Sequence, residues 1–264
     1  MAVTIGQNSE WSIKWRDKMS YEYIEKIRAL LDEVESKNKE AIDKTVKLFV
    51  AAIEKKRSIF IFGTGHASLL AQELFYRAGG LMTVTPIFAE AIMLDVSPVT
   101  HTSEMERLVG YGTAIANKTP FKKGDVLIVH SASGRNSVPI ELAMEAQKRG
   151  VTTIGLTSLD YSKSVSSRHP SGNNLYKYCD VILDNHGEIG DGAIKIEGID
   201  QKVGPTSTVI GATILNTIVV ETVKKLKEHG MKNPPIFYSA NVDQGDELNK
   251  QLFEEYKESI HYNY

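Results

Sequence analysis

Three short segments of this chain concentrate groups suited to holding an anion. The first is Gly63-Thr64-Gly65-His66-Ala67-Ser68, the second Ser131-Ala132-Ser133-Gly134-Arg135-Asn136-Ser137, and the third Thr157-Ser158. Each follows a run of apolar residues. Glycine lets the backbone come close to a ligand, and hydroxyls with free N–H groups at a helix start cradle a phosphate-like group. The second segment is the richest, with three serines and an asparagine around Gly134. Helix capping by Asn136 or Ser137 accounts for one of these residues and leaves Ser131 and Ser133 unexplained. Arg135 adds charge there or points to solvent. The first segment is not a full G-x-G-x-x-G, because Ser68 stands in place of the third glycine, and no Walker loop is present.

Proton transfer needs a base and a relay, and histidines stand at the same places. His66 lies inside the first segment. His101 lies in the hydroxyl-rich Ser97-Pro98-Val99-Thr100-His101-Thr102-Ser103, and His130 ends an apolar run, where it reads equally well as a core histidine. A further polar set, Asp184, Asn185, His186, Glu188 and Asp191, falls in a glycine-rich stretch over 184–205. That stretch reads as an irregular segment, either a lid over a ligand or a solvated connector. No H-x-x-x-H, H-E-x-x-H or C-x-x-C spacing occurs, so no metal or cofactor is expected. Cys179, beside an apolar run, reads as a buried inert thiol.

The elements that must position these groups follow from the apolar pattern. Ile24, Ile27, Leu31 and Val34, then Ile42, Val46, Phe49 and Ile53, predict two helices over 20–56, with Ser20 and Asn38 as N-caps. This hairpin covers a sheet or pairs with another subunit. Strands are predicted at Ser58–Phe62, Met82–Phe88, Val126–His130, Thr152–Leu156 and Val181–Leu183, alternating with helices, the clearest at 137–149 with Gly150 as its stop. Buried strands alternating with helices give an α/β fold, a three-layer αβα sandwich on a five-stranded parallel sheet. A helix apolar almost all round is predicted at Thr206–His229 and a last helix at about 242–260. One domain over 1–264 is expected: hairpin 1–57, α/β core 58–230 and C-terminal helix 231–264. In such a sheet the ligand lies beyond the carboxyl ends of the strands, where all three segments fall.

The order F-G-T-G-H-A-S, S-A-S-G-R-N-S and T-T-I-G-L-T-S resembles the SIS (sugar isomerase) domain over roughly 40–225, and in particular its single-domain, phosphoheptose-isomerase-like bacterial group. The resemblance implies that Ser131, Ser133, Asn136 and Ser137 hold a sugar phosphate, with Gly65, Ser68, Gly134, Thr157 and Ser158 around it. It also places Ser207, in Gly204-Pro205-Thr206-Ser207-Thr208, near the sugar. The family's usual catalytic positions depart from the pattern: Arg77 stands where phosphoheptose isomerases and the etherases carry glutamate, and Thr213 where the isomerases carry histidine. Glu90 resembles the glutamate after the second strand of glucosamine-synthase-type isomerase domains. The implied chemistry is aldose–ketose isomerisation, with Glu90 as base and His66 or His101 in the proton relay. Glu90, His66 and His101 are also an example of a set that could assemble a metal site from separate loops. The alternatives are a non-catalytic sugar-phosphate-binding regulator, or a sugar-phosphate lyase or etherase.

The bulk composition fits this reading. The 264 residues carry a net charge of −2, which excludes a broad polyanion-binding surface but not one small anion in a pocket. A phosphate or a sulfonate tail would meet the same donors. A single cysteine excludes an intrachain disulfide. The opening residues lack an apolar h-region and no apolar run is long enough to span a bilayer, so a cytoplasmic location without nucleic-acid or membrane partners is expected. The amphipathic hairpin and the apolar 208–223 stretch offer more hydrophobic face than one sheet covers, and predict a homodimer or homotetramer.

Overall fold

The computed structural model describes residues 21–263. Ser20, the expected N-cap, lies outside them. Two helices, α1 (Glu22–Lys37) and α2 (Lys39–Glu54), come first. The parallel sheet follows, formed by β1 (Ile59–Gly63), β2 (Val84–Pro86), β3 (Val126–His130), β4 (Thr152–Thr157) and β5 (Val181–Asp184) in the order β2-β1-β3-β4-β5. The connecting helices are α3 (Ser68–Leu74), α4 (Thr100–Arg107), α5 (Tyr111–Lys118), α6 (Ser137–Lys148) and α7 (Leu159–Ser164). After β5 come β6 (Gly192–Ile194), β7 (Val203–Pro205), α8 (Ser207–Glu228) and α9 (Gly245–Tyr256).

The two-residue period of a strand explains why this sheet has two cores. Ile59, Ile61, Val126 and Ile128 face one side, where α2, α3 and α8 cover them. Phe60, Phe62, Leu127 and Val129 face the other, beneath α5 and α6. With both faces apolar, the inner strands read as continuous hydrophobic runs, which is what made them visible in the sequence. The expected hairpin is present, and it covers the sheet: Phe49, Val50 and Ile53 of α2 are buried in the first core.

Three elements differ from expectation. The second strand is confined to Val84–Pro86 at the edge of the sheet. Its last bond to β1 runs from the Ile87 N–H to the Ile61 carbonyl at 2.8 Å, and Pro86, which has no N–H to give, lies on the open side as an edge strand allows. The stretch 184–205 is not wholly irregular: β6 and β7 pair antiparallel as a short ribbon. This ribbon is fastened to α1, with the Tyr23 hydroxyl donating to the Pro205 carbonyl at 2.6 Å and Lys26 2.6 Å from Glu188. Gly204, at φ +74°, lies against the Tyr23 ring, where a Cβ would come within 2.8 Å. Finally, α8 is buried on one face only, through Ile210, Ile214, Leu215 and Ile218, while Val209, Thr213, Thr217 and Val220 are exposed.

The strand order reverses between β1 and β3. The first connection runs outward to β2, and the chain then crosses back to place β3 on the other side of β1. Such a switch point leaves a crevice at the carboxyl edge. The two segments that end β1 and β3 flank it.

Candidate functional site

The turn after β1 is built by glycine. A Cβ on Gly63 would lie 2.2 Å from the Ala67 carbonyl oxygen, so only glycine lets the chain fold back there. Gly65 is left-handed at φ +54°. The Ser68 hydroxyl is buried and donates to the Gly65 carbonyl at 2.7 Å, which holds the turn closed. Thr64 donates to Glu106 of α4, and the Thr102 methyl lies 3.7 Å from where a Gly65 Cβ would be, so α4 packs directly over this turn. His66, at the outside of the turn, is exposed.

The segment after β3 has the opposite character, because its donors are left open. The Ser131 N–H bonds to Leu156, and the Gly134 N–H donates to the Ser131 hydroxyl at 3.2 Å. The N–H groups of Ala132, Ser133, Arg135, Asn136, Ser137 and Val138 have no acceptor among the described residues. Gly134 lies between them in the left-handed region, at φ +58°. The hydroxyls divide sharply. Ser131 accepts from Gly134 and gives its own proton to no protein group among the described residues, whereas Thr157 donates to the Ala132 carbonyl at 3.0 Å and Ser158 to the Gly187 carbonyl at 2.5 Å. Ser133, half-buried, and Ser137, fully buried, bond to no protein group among the described residues. Ser137 stands at the first position of α6, whose N-cap Asn136 makes no side-chain capping bond.

Asn136 fails to cap because Arg168 engages it, with Nη1 donating to Oδ1 at 2.9 Å. The loop after α7 thus brings a guanidinium to the start of α6. The Arg168 N–H also donates to the Arg135 carbonyl at 2.8 Å, and Arg135 itself donates from Nε to the Ser166 carbonyl at 3.0 Å. Burial, and then the charges of Arg107 and Arg135, push the Arg168 guanidinium below its ordinary value. None of these three arginines forms an ion pair among the described residues.

A second helix start reaches the same edge and is closed. Asp191, left-handed at φ +66°, accepts at Oδ1 from the N–H groups of Thr206 (3.1 Å) and Ser207 (2.9 Å), and at Oδ2 from the Ser207 hydroxyl (2.6 Å). Ser207 is therefore held by a carboxylate of its own chain. His130 is buried at the end of β3 with Nδ1 3.1 Å from the Ala67 carbonyl, and desolvation lowers its pKa to about 4. It is a neutral core histidine, the second of the two readings its position allowed.

The candidate base stands apart from these loops. Glu90 opens a short 3-10 turn after β2 and is exposed. It borders a cavity of about 530 Å³ lined also by Phe60, Phe88, Tyr111, Lys118 and His261, and no residue of the 131–137 segment reaches that cavity. His101, in the first turn of α4, is 44% exposed, with Nδ1 3.8 Å from Glu104. Among the described residues, no group of three His, Cys, Asp or Glu side chains is placed to hold a metal ion, and no helix is long and apolar enough to cross a membrane. Burial pushes the Cys179 thiol well above its ordinary value, and the sulfur donates to the Leu175 carbonyl at 3.3 Å.

Sequence reasoning missed Arg168, Arg107 and Glu106. Arg168 acts on Asn136 across 32 residues, a separation fixed by no local period. Its one visible signal was the hydroxyl-rich Ser166-Ser167-Arg168-His169 that follows the third segment.

Known proteins share this architecture. The UPF0309 protein of Shouchella clausii is 46% identical over 246 residues, covering 92% of this chain and all of that protein. The UPF0309 protein of Oceanobacillus iheyensis is 45% identical over 91% of this chain and 98% of its own length. A phosphoheptose isomerase from Francisella tularensis has a similar fold, with a TM-score of 0.50 at 15% identity over 83% of this chain and all of that one. Residues 22–158, which hold both β1 and β3 and the segments that end them, match the SIS domain, and the chain belongs to that family.

Proposed function

We propose that this chain binds a phosphorylated or similarly anionic monosaccharide at the 131–137 segment and interconverts its aldose and ketose forms by general acid–base catalysis. The observation that carries the binding is the row of unpaired donors: six backbone N–H groups and the Ser133 and Ser137 hydroxyls, consecutive in the stretch that leads into a helix start without a side-chain cap, have no protein partner among the described residues. N–H groups left open at the start of a helix suit an anion. The resemblance in fold to a phosphoheptose isomerase supports the same class of ligand.

For the chemistry, Glu90 takes the proton from the carbon next to the carbonyl and returns it to the neighbouring carbon of the enediol. His66 or His101 carries the hydroxyl proton between the two oxygens. The sugar would reach from the serine segment across the β1 turn toward Glu90. A second reading, a binder without catalysis, is favoured by one observation: the cavity beside Glu90 includes no residue of the serine segment.

One experiment separates them. The full chain is screened by thermal shift against aldose and ketose phosphates, and the best binder is followed by NMR in deuterated water. An isomerase exchanges the C1 or C2 proton and loses that exchange in Glu90→Gln with binding retained. Binding with no exchange gives the regulator, and no stabilisation by any sugar phosphate rejects both.

A further inference from the structure

Asn136 is the N-cap of α6, and an asparagine in that place ordinarily accepts from the second or third N–H of the helix. The third residue here is Pro139, which has no N–H, so Val138 is the donor left for Asn136 to cap. The Asn136 Oδ1 is instead taken by Arg168 at 2.9 Å. Without that bond the side chain is free to close a donor that an anion would use. What holds Arg168 in place therefore bears on binding.

The loop that carries Arg168 is closed around the next residue, His169, whose side chain is 11% exposed. The ring Nδ1 lies 2.9 Å from the Ser171 hydroxyl and accepts from the Ser171 N–H at 3.2 Å. The His169 N–H donates to the Ser167 hydroxyl at 3.1 Å, which donates in turn to the Asn173 carbonyl at 2.8 Å. Because Nδ1 accepts, the neutral ring carries its proton on Nε2. Nε2 faces α6, 3.7 Å from Oε1 of Glu141. Glu141 stands one turn beyond Ser137 and its side chain is 6% exposed. Its Oε1 also accepts from the Gly110 N–H at 2.6 Å and its Oε2 from the Thr113 N–H at 3.2 Å.

The two N–H groups at the start of α5 satisfy Glu141 as a packing carboxylate. They do not account for His169, which comes from a separate segment. Consecutive residues of that segment meet α6 at two points, Arg168 at Asn136 and His169 at Glu141. The backbone bond from Arg168 to the Arg135 carbonyl ties the loop to the serine segment, and His169 ties it to the helix. An exposed arginine bonded at one point swings away readily, since ordering its long side chain costs entropy. A nearly buried ring in the next position fixes the backbone from which it extends.

We propose that His169 is a positioning residue for the anion site. Seated on Glu141, it sets Arg168 against Asn136, and Asn136 is thereby kept from capping Val138. The start of α6 stays open for the ligand. This rests on the anionic-sugar reading above and adds to it the device that keeps the donors free.

The probe is inorganic phosphate, titrated into the full chain at fixed pH and ionic strength, with the dissociation constant read from the NMR amide signals of residues 132–138. His169→Ala weakens binding about fivefold, and Arg168→Met at least as much. The two combined weaken it no more than Arg168→Met alone, as residues acting in series should. His169→Gln, whose amide can still face Glu141, recovers most of the loss. In the free protein, the Val138 amide exchanges with deuterium more slowly in His169→Ala than in the native chain, because Asn136 has moved onto it, whereas general loosening would speed that exchange. This second readout needs no ligand. Native affinity in His169→Ala, losses that multiply in the double variant, or faster exchange at Val138 each overturn the proposal and leave the sugar-phosphate reading standing. Should His169→Ala fail to fold, His169→Asn, too short to reach Glu141, takes its place in the same cycle. If the native chain binds neither inorganic phosphate nor any sugar phosphate, the parent reading falls together with this one.

Discussion

His130 Nδ1 lies 3.1 Å from the carbonyl oxygen of Ala67, so the imidazole at the end of β3 fastens the turn that follows β1. A carbonyl only accepts, so Nδ1 carries the proton and Nε2 is a bare acceptor, buried without a partner among the described residues. Protonating Nε2 would create a buried charge with nothing to receive its hydrogen.

A pH dependence follows, with its sign fixed. The folded-state pKa is lowered from 6.5 to about 4 by burial. Between those values the unfolded chain takes up a proton that the folded chain refuses, so stability is lost as pH falls through that window. The loss is on the order of 3 kcal/mol. His261, lowered in the same direction by burial, adds to it. Urea midpoints at pH 7.5 and 5 should differ markedly for the native chain and less for His130→Gln. Equal differences in the two proteins would show that His130 is not the group responsible.

The two loop glycines should tolerate no side chain, for different reasons. Gly63→Ala drives Cβ onto backbone at 2.2 Å, and Gly134→Ala adds strain at φ +58° to a contact 2.9 Å from the Ser162 hydroxyl. Each should cost roughly 2–3 kcal/mol in chemical denaturation. Gly172→Ala, left-handed at φ +71° but with nothing within 4 Å, serves as the comparison and should cost about half as much.

Among the hydroxyls, position in the hydrogen-bond network should decide which measurement responds. Ser133→Ala and Ser137→Ala should each weaken sugar-phosphate binding about five- to tenfold, since their hydroxyls bond to no protein group. Thr157→Val instead removes the bond to Ala132. It should appear first as a loss of roughly 1 kcal/mol of stability. If Thr157→Val leaves stability intact and abolishes binding, the division drawn between open and occupied hydroxyls is mistaken.

Asp191→Ala strips three hydrogen bonds from the start of α8 and should lower stability by about 1–2 kcal/mol. Asp191→Asn keeps an oxygen for the two N–H groups and should lose less than half of that, as read from denaturation midpoints.

What was legible in the sequence follows from range. β1, β3 and β4 announce themselves as unbroken apolar runs because both sheet faces are covered, and their carboxyl ends direct attention to the right loops. β6 and β7 were not legible, since three-residue strands rich in glycine and half in solvent carry no period. At the site, the open serine segment could be read from composition alone. Which hydroxyls were already occupied could not, because Thr157, Ser158 and Ser207 are held by Ala132, Gly187 and Asp191 from other parts of the chain. Arg168 escaped for the same reason.

The Asp191 clamp gives the crevice a polarity. Two helices begin at this edge, and both would attract the same negative head of a ligand. One already has its carboxylate built in, and the other is left without a cap. On the proposed reading, a ligand would be offered one way round, its anionic tail at the start of α6, and the reversed pose would set anion against anion at Asp191.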